Sequence, residues 1–550
     1  MPITTNDLLK VATTDRQREV VNSLALTGSQ VKAAASLGMS HSSVHKTIQR
    51  LTGRLTDGVY SPASKTRTLV NDAKLDTSAR LKQVKRHVSK KGASVYVITC
   101  AQNATPIHEA GMASLLGYCT HNGAELIVIP NRYHNATSQW TTKDESNEWW
   151  AGEIMPYLLD HRVELCKNLV ILGDIRILPT ASRPTSGMET FCGGKSVIIG
   201  HQKIEQVTIP SPQNSLPKVV ATTGCITIDN YTDSKSGKKG EHHHTFGALV
   251  VEVDGDSFYM RQLNMDSDGS FYDLDKLYSG GKIKTGVRAA GLVLGDLHQR
   301  FVDPGVVSAT FDAKNSIVNT IRPRAMVYHD VVDFYSQNHH HRGKPFTKLA
   351  KHIGRQSSVS NEINECAEFI DAKTRKGQRV IFAASNHPDA MVRWIDEADW
   401  KYDPENAVLY LETALMMARS VRMTTSGAAY DDPFVYWMRK KLKCVKQCLF
   451  PCRDESVQIE GIEVGMHGDK GSNGARGSIR NFGRMGVKSV IGHSHTPGVI
   501  DGVYQTGTSS ALRLEYNSGP SSWMHCHCII YPNGKRTLVN IINGQWRSGR

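Results

Sequence analysis

The residues best suited to chemistry lie in the C-terminal half, where five short apolar runs each end in aspartate, asparagine or histidine. The runs cover residues 291–295, 325–329, 380–385, 462–466 and 487–492. The residues that follow them, in the same order, are Asp296-Leu297-His298, Asp330, Asn386-His387, His467-Gly468 and His493-Ser494-His495. Carboxylate and imidazole groups in such a set are typical ligands of borderline divalent metals such as manganese, iron or zinc.

The position of these residues after apolar runs indicates one common site. Polar side chains at the carboxyl ends of buried strands meet at a crevice of an open α/β sheet. Two metal ions about 3.5–4 Å apart need a shared carboxylate, and such a pair suits displacement at a phosphate ester. The alternative is that five strand ends carry these residue types by accident.

The order DxH, D, NH, H and GHxH resembles the calcineurin-like metallophosphoesterases, including their SbcD/Mre-type nuclease branch. The resemblance covers residues 286–550 and implies a β-sandwich flanked by helices. It also implies two divalent metal ions, with manganese favoured over magnesium, iron and zinc.

The resemblance implies a role for each matching residue. The first ion would be bound by Asp296, His298 and His495. The second ion would be bound by Asn386, His467 and His493, and Asp330 would bridge both ions. His387 would be the catalytic residue, contacting the scissile phosphate and protonating the leaving oxygen.

Two positions depart from the family pattern. His329 stands where the family has glycine before the bridging aspartate, and Pro388 stands where it has an acidic residue after Asn-His. Asp389 follows one position later, and Asp333 matches a frequent family position. We expect Asp333 and Asp389 to support the ligands by hydrogen bonding rather than to bind metal themselves.

Basic residues flank the predicted site and could contact a nucleic-acid backbone. Lys470, Arg476 and Arg480 follow His467, and the spacing of Arg476, Arg480 and Arg484 predicts one shared helix face. Arg342 lies in the basic segment 339–344. The alternative for each element is a solvated surface without a ligand.

Before this region, short β-branched runs alternate with helical stretches over residues 93–285, which predicts a second α/β domain. We expect it to assemble subunits or to position DNA. Gly173-Asp174 and Gly200-His201 each end a strand but lack a partner motif, so we interpret them as polar strand ends. We expect residues 242–244 to lie in a flexible basic loop.

The N-terminal residues 1–60 predict a helical domain that resembles a helix-turn-helix. Ala34 allows close helix approach, Gly38 makes the turn, Ser40 caps the second helix and Val44 packs it. Exposed residues of that helix, including Lys46 and Arg50, suit phosphates or base edges. An ordinary helical hairpin used for assembly is the alternative. Residues 61–92 predict a linker, because they are rich in Ser, Thr and Lys.

Composition limits the class of protein. The 550 residues carry 66 Lys/Arg and 52 Asp/Glu, a net charge of +14. Residues 1–90 hold 15 Lys/Arg and 6 Asp/Glu, a net +9 that is typical of contact with a polyanion. The 11 cysteines are scattered, which favours a reducing cytoplasm. We expect no signal peptide and no membrane span.

Together these features predict a metal-dependent DNase that hydrolyses phosphodiester bonds by a two-metal mechanism. The chain layout is also similar to the host-DNA-degrading pre-early proteins of T-five-like siphophages. That likeness implies a phage-encoded enzyme in the host cytoplasm, with DNA as substrate. We also expect a homo-oligomer, because the middle domain has no catalytic constellation and could be an assembly module. The alternatives are a phosphomonoesterase or cyclic-nucleotide phosphodiesterase with an N-terminal assembly region, and a DNA-binding regulator with an inactive metal site.

Overall fold

A computed structural model describes residues 4–56, 94–136, 138–140, 149–191, 193–212, 215–425 and 427–547. The described residues fall into two compact units, one within residues 1–71 and the other within residues 72–550. The predicted linker 61–92 lies outside the described residues.

The described residues 4–56 of the N-terminal unit contain four helices around a small apolar core. They are α1 (Thr5–Val11), α2 (Asp15–Thr27), α3 (Gln30–Ser36) and α4 (His41–Thr56). The core includes Val21, Ala34 and Val44, which are 0%, 4% and 0% exposed. Gly38 adopts a φ of 61° between α3 and α4, and Ser40 Oγ accepts a hydrogen bond from Ser43 N at 3.2 Å. Two helices joined by a turn at Gly38 therefore lie where the helix-turn-helix was predicted, and the helix-turn-helix itself stays a prediction.

The second unit contains 25 strands among its described residues. They are β1 (Ser94–Gln102), β2 (Glu125–Asn131), β3 (Arg162–Cys166), β4 (Leu169–Leu172), β5 (Ser196–Ile199), β6 (Gln206–Ile209), β7 (Lys218–Thr222), β8 (Gly247–Asp254), β9 (Ser257–Asn264), β10 (Phe271–Asp273), β11 (Lys276–Ser279), β12 (Lys282–Lys284), β13 (Gly291–Val293), β14 (Ala325–Tyr328), β15 (Arg379–Phe382), β16 (Arg422–Thr424), β17 (Gly427–Ala429), β18 (Cys448–Leu449), β19 (Gln458–Ile459), β20 (Ile462–Glu463), β21 (Ser489–Ile491), β22 (Gly498–Ile500), β23 (Val503–Gln505), β24 (His525–Ile530) and β25 (Arg536–Ile541).

Helices connect these strands. They are α5 (Glu109–Asn122), α6 (Met188–Phe191), α7 (Lys235–His243), α8 (Pro304–Val307), α9 (Ile317–Ile321), α10 (Pro345–Ile353), α11 (Val359–Lys373), α12 (Asp389–Glu397), α13 (Ala407–Ser420), α14 (Pro433–Lys441) and α15 (Ile479–Gly483). Residues 242 and 243 end α7, so the expected flexible loop at 242–244 is wrong. Ser234 caps this helix by accepting from Gly237 N, which gives the segment a defined start.

The strands form three main sheets. A six-stranded sheet has the order β18-β15-β14-β13-β24-β25, and a four-stranded sheet has the order β2-β1-β8-β9. A ten-stranded sheet has the order β19-β20-β21-β23-β22-β6-β7-β5-β4-β3. Apolar side chains of the six-stranded and ten-stranded sheets share one core cluster, to which Val327 and Val490 both belong. Helices α11 and α14 cover the other face of the six-stranded sheet. The predicted α/β class is confirmed.

The ten-stranded sheet contains the same strand order twice. Read from its two edges to its centre, β3-β4-β5-β7-β6 repeats β19-β20-β21-β23-β22, and the halves meet where β6 pairs with β22. The other sheets continue the correspondence, because β1, β2, β8 and β9 match β13, β14, β24 and β25 in order and pairing. Residues 94–264 therefore repeat the strand arrangement of residues 291–541.

The two repeats are fused rather than separate. The central sheet passes through both, so the predicted boundary at residue 286 does not separate two sheets. Strands β9 and β25 lie side by side and are bridged by the buried side chain of Gln262. Its Oε1 accepts from Thr537 Oγ1 and Leu538 N, both at 3.0 Å, and its Nε2 donates to Gln206 Oε1 at 2.8 Å.

The described residues contain no helix long and apolar enough to cross a membrane.

The seam between the repeats gives a first prediction. Gln262→Ala leaves buried polar groups of Thr537, Leu538 and Gln206 without their partner, so it should lower the free energy of unfolding by about 2 kcal/mol or more. Urea unfolding of the full chain measures this. The exposed strand residue Gln458 is the control, and Gln458→Ala should change stability by less than about 0.5 kcal/mol. Equal stability of both variants would contradict a seam that depends on Gln262.

Candidate metal centre

Neighbouring strands carry the predicted site residues to one edge of the structure. Backbone hydrogen bonds continue past the ends of β13 and β14, where Leu297 N donates to His329 O at 2.9 Å and His298 N donates to Asp330 O at 2.8 Å. In the facing sheet, Gly492 N donates to His467 O at 2.7 Å. The loops that follow these strands are therefore held in register, which fixes their side chains relative to one another.

The side chains converge into a continuous cluster. Ligand atoms within 4.8 Å of one another define four overlapping groups: Asp296-His298-His495, Asp296-His329-His467, His298-Asp330-His387 and Asp330-His467-His493. Every such group of three among the described residues lies here. Each carboxylate belongs to two groups, so the cluster has the shared oxygen ligands that a pair of ions requires.

Individual distances show how closely the ligand atoms approach. His495 Nε2 lies 3.1 Å from Asp296 Oδ2 and 3.0 Å from His298 Nε2. His467 Nε2 lies 3.0 Å from Asp330 Oδ2. Imidazole nitrogens and carboxylate oxygens thus face one another in pairs.

Asp333 supports two of the histidines. Its Oδ1 accepts a hydrogen bond from His298 Nδ1 at 3.0 Å and lies 3.1 Å from His387 Nδ1. Because a carboxylate only accepts, His298 carries its proton on Nδ1 and turns the lone pair of Nε2 towards the cluster. Asp333 thus has the contacts that were expected of a supporting residue.

Asp389 is paired with an arginine. Its Oδ2 lies 2.7 Å from Arg453 Nη2, and Arg453 Nη1 lies 2.8 Å from Asp469 Oδ2. Arg453 therefore links the loop after Asn386-His387 to the loop after His467. The sequence did not indicate this role of Arg453, because a single basic residue distant in sequence from both loops does not show which carboxylates it will contact.

Four candidate ligands have strained backbone. The φ angles of His298, Asp330, His493 and His495 are 42°, 40°, 72° and 57°. Residues other than glycine rarely adopt this left-handed region, and such strain concentrates at functional sites. The conformation of these residues is therefore maintained by their surroundings.

The charges of the cluster shift its pKa values. Burial raises the pKa of Asp296, but His467 and His495 outweigh it and hold the pKa at about 2. Burial likewise opposes the charged form of Asp330, yet His467 and His387 hold its pKa well below the usual value. Burial lowers the pKa of His387, but Asp330 and Asp333 raise it to about 10. Both carboxylates are therefore ionised and His387 is a cation at neutral pH.

The donor set fits divalent metal ions. Asp296 Oδ1, Asn386 Oδ1 and His495 Nδ1 are buried and have no hydrogen-bond partner among the described residues. Asp296 and His298 are 0% exposed and Asp330 is 2% exposed, so their polar atoms are withdrawn from water. Buried oxygen and nitrogen donors in this mixture match manganese, iron or zinc.

His329 is a further member of the cluster that sequence reasoning left out of the ligand set. Its Nδ1 lies 3.2 Å from His467 Nδ1, and burial followed by the charge of His467 lowers its pKa to about 4. Its position directly before Asp330 was the available signal. A neutral, fully buried imidazole here could orient His467 or act as a ligand.

The predicted basic contacts are only partly as expected. Helix α15 covers Ile479–Gly483, so Arg480 is helical and Arg484 follows the helix. Arg476 lies before the helix, where it forms an antiparallel β-bridge with Lys470. The predicted common helix face is therefore wrong. Extended backbone at Ser478, with φ −156° and ψ 151°, starts the helix after Arg476.

Exposure distinguishes the remaining basic residues. Lys470, Arg476 and Arg480 are exposed, as are Lys46 and Arg50 on α4 of the N-terminal unit. Arg342 is half-buried, and its Nη1 lies 2.5 Å from Glu397 Oε2, so part of its charge is neutralised within the protein. Contacts of these six residues with DNA remain predictions.

The repeat at residues 94–264 keeps a histidine, His201, at the position of His493, but carries different side chains at two other corresponding strand ends. Asp296 N donates a hydrogen bond to Gly507 O at 3.1 Å, and in the other repeat Cys100 N donates the matching bond to Gly224 O, also at 3.1 Å. Cys100 is therefore the counterpart of Asp296. Lys203 is the counterpart of His495, because it follows His201 by two residues just as His495 follows His493. Lys203 Nζ lies 2.7 Å from Asp501 Oδ1. The corresponding strand ends therefore carry a thiol and a paired lysine.

The fold and the cluster together define a mixed α/β protein with a candidate metal centre of buried histidines and aspartates. No family model matches the chain. The chain is 31% identical over 494 residues to Protein A1 of Escherichia phage T5, and the match covers 87% of each chain. The chain belongs to the family of this phage protein. Its resemblance to the calcineurin-like metallophosphoesterases stays a prediction.

Gly492 gives a direct test of the centre. A Cβ at this position would lie 2.2 Å from Asp296 Oδ1, so Gly492→Ala should displace the carboxylate and weaken manganese binding by about 10–100-fold. Calorimetric titration with manganese measures the affinity. Gly152→Ala is the control, because nothing lies within 4 Å of its added Cβ. Unchanged affinity in Gly492→Ala would contradict metal binding by Asp296.

Proposed function

We propose that this chain is a metal-dependent DNase of the calcineurin-like metallophosphoesterase type, encoded by a phage and acting on host DNA in the host cytoplasm. The observation that carries the proposal is the continuity of the cluster. Asp330 is within ligand distance of His298 and His387 on one side and of His467 and His493 on the other. A carboxylate in that position suits a two-ion centre for phosphate-ester hydrolysis.

The residues divide into two ligand sets. Asp296, His298 and His495 would hold one ion, Asn386, His467 and His493 would hold the other, and Asp330 would contact both. When bound, the ions supply positive charge at the phosphoryl oxygens and lower the pKa of water. His493 N donates to Asp296 Oδ2 at 2.8 Å and so fixes the orientation of that carboxylate.

His387 is the proposed proton donor to the leaving oxygen. It is half-buried at the edge of the cluster, with its Nε2 3.9 Å from Asp330 Oδ2. Asp333 holds the Nδ1 of this ring, so Nε2 is the nitrogen that can face a substrate. A positioned acid of this kind typically contributes 10²–10⁴-fold to the rate.

The N-terminal unit supports a polynucleotide substrate. Its predicted helix-turn-helix has Lys46 and Arg50 in exposed positions of α4, and residues 1–90 carry a net charge of +9. Basic helices of this type bind phosphates and base edges in the DNA groove. A small phosphomonoester or cyclic nucleotide would need no such unit.

Digestion of DNA tests the proposal. With manganese, the wild-type protein should degrade DNA. Asp330→Asn should lose both bound metal and cleavage. His387→Ala should keep its metal while the rate falls by about 10²–10⁴-fold, because only the proton donor is removed. Metal content is measured on the same samples by elemental analysis.

His352 provides the control, because it is an exposed histidine on α10. His352→Ala should cleave at the wild-type rate. A wild-type protein that is inert on DNA with manganese, magnesium and zinc would contradict the proposal. Hydrolysis of p-nitrophenyl phosphate or cyclic nucleotides without DNA cleavage would select the alternative phosphoesterase.

A further inference from the structure

An exposed aromatic side chain lies beside the metal centre on the segment 511–523, here called the aromatic loop. Tyr516 is 60% exposed, which leaves most of a large ring in contact with water. Its ring centre lies 5.7 Å from that of Trp523, and the Trp523 ring centre lies 4.1 Å from that of His495. The two aromatic rings therefore extend from a candidate metal ligand outward to the surface.

The aromatic loop is attached to the centre at both ends. Ala511 N donates to Phe301 O at 2.8 Å, close to His298 in sequence. Met524 N donates to His495 O at 3.1 Å, directly after the loop. These bonds fix the distance between the aromatic pair and the ligands.

The interior of the loop is also braced. Arg513 Nη1 donates to Gly519 O at 2.6 Å, and Asn517 Oδ1 accepts from Leu514 N at 2.8 Å. Glu515 Oε2 lies 3.2 Å from His341 Nε2, which ties the tip to the segment 339–341. Tyr516 is thus held exposed by a pre-organised loop, and a rigid aromatic ring loses little entropy when it binds a ligand.

The ring contacts give Tyr516 a position close to the centre, because Trp523 lies between it and the candidate ligand His495. The charges of Asp333, Asp330 and Asp296 agree with this position, since together with partial burial, the larger cause, they raise the pKa of Tyr516.

We propose that Tyr516, positioned by Trp523, provides a stacking surface for a nucleobase next to the scissile phosphate, so that the preferred substrate is a DNA strand with unpaired bases. Aromatic rings stack on any base of a single strand, whereas bases inside a duplex are occupied by their neighbours. The inference rests on the proposed DNase activity. Trp523 acts as a positioning residue between His495 and Tyr516, and Tyr516 contacts the base.

The test compares two substrates that differ only in their bases. They are an oligothymidine strand and a strand of equal length built from abasic units, both cleaved by the full chain with manganese. The wild-type KM should be about tenfold lower for oligothymidine, which is the size expected for one stacked base. Tyr516→Ala should remove this difference by raising the KM for oligothymidine alone.

Two variants separate stacking from other roles. Tyr516→Phe keeps the ring and should retain the wild-type preference. Tyr402→Ala removes another exposed tyrosine, which is 88% exposed on the short helical turn Trp400–Tyr402, and should change nothing. Metal content should equal that of the wild-type protein in all three variants.

The outcomes are distinct. Equal wild-type KM values for both strands, or a loss in Tyr516→Phe as large as in Tyr516→Ala, would overturn the stacking surface while leaving the DNase proposal intact. A wild-type protein that cleaves neither strand would contradict the proposed function and the stacking surface together.

Discussion

Two carboxylates withdrawn from water are the constraint on which the site depends. Asp296 and Asp330 are 0% and 2% exposed, and a buried charge is costly unless positive groups or metal ions compensate for it. The surrounding imidazoles provide nitrogen donors at about 3 Å, and Asp333 directs one of them inward. The strained backbone of the ligand loops is the conformational cost of this convergence.

The repeated strand order places two sets of corresponding strand ends in the fold, and in the described part of the chain one of them carries the histidine and aspartate cluster. Strands β5 and β21 run in opposite directions through the shared sheet. The residues that follow these two strands therefore lie on opposite sides of the sheet, which are here called its two edges. At one edge His493 belongs to the cluster. At the other edge both nitrogens of His201 are engaged, by Leu178 O and by Lys203 N. The same backbone arrangement therefore supports a metal centre or a closed polar network, according to the side chains at its strand ends.

Local patterns in the sequence were sufficient to predict the candidate ligands at the strand ends. They were insufficient to predict the repeated fold and the loops and helix starts around the site. An apolar run followed by Asp or His predicts a ligand at a strand end, because burial and residue type are both local properties. The repeat was missed, although residues 196–201 read SVIIGH and residues 489–493 read SVIGH. A similarity over so few residues does not by itself indicate a repeat. The pairing of strands distant in sequence is needed to recognise it. Tyr516 was missed because its loop has no periodicity, and Arg476 was wrongly assigned to a helix because regular spacing does not show where a helix begins.

The proposed function requires one two-ion centre in each chain. Anomalous diffraction from crystals grown with manganese tests it most directly. We predict two peaks about 3.5–4 Å apart, with Asp330 between them and with none near Cys100 or Lys203. A single peak, peaks at the strand ends of residues 94–264, or no peak among the buried histidines would contradict the proposed function.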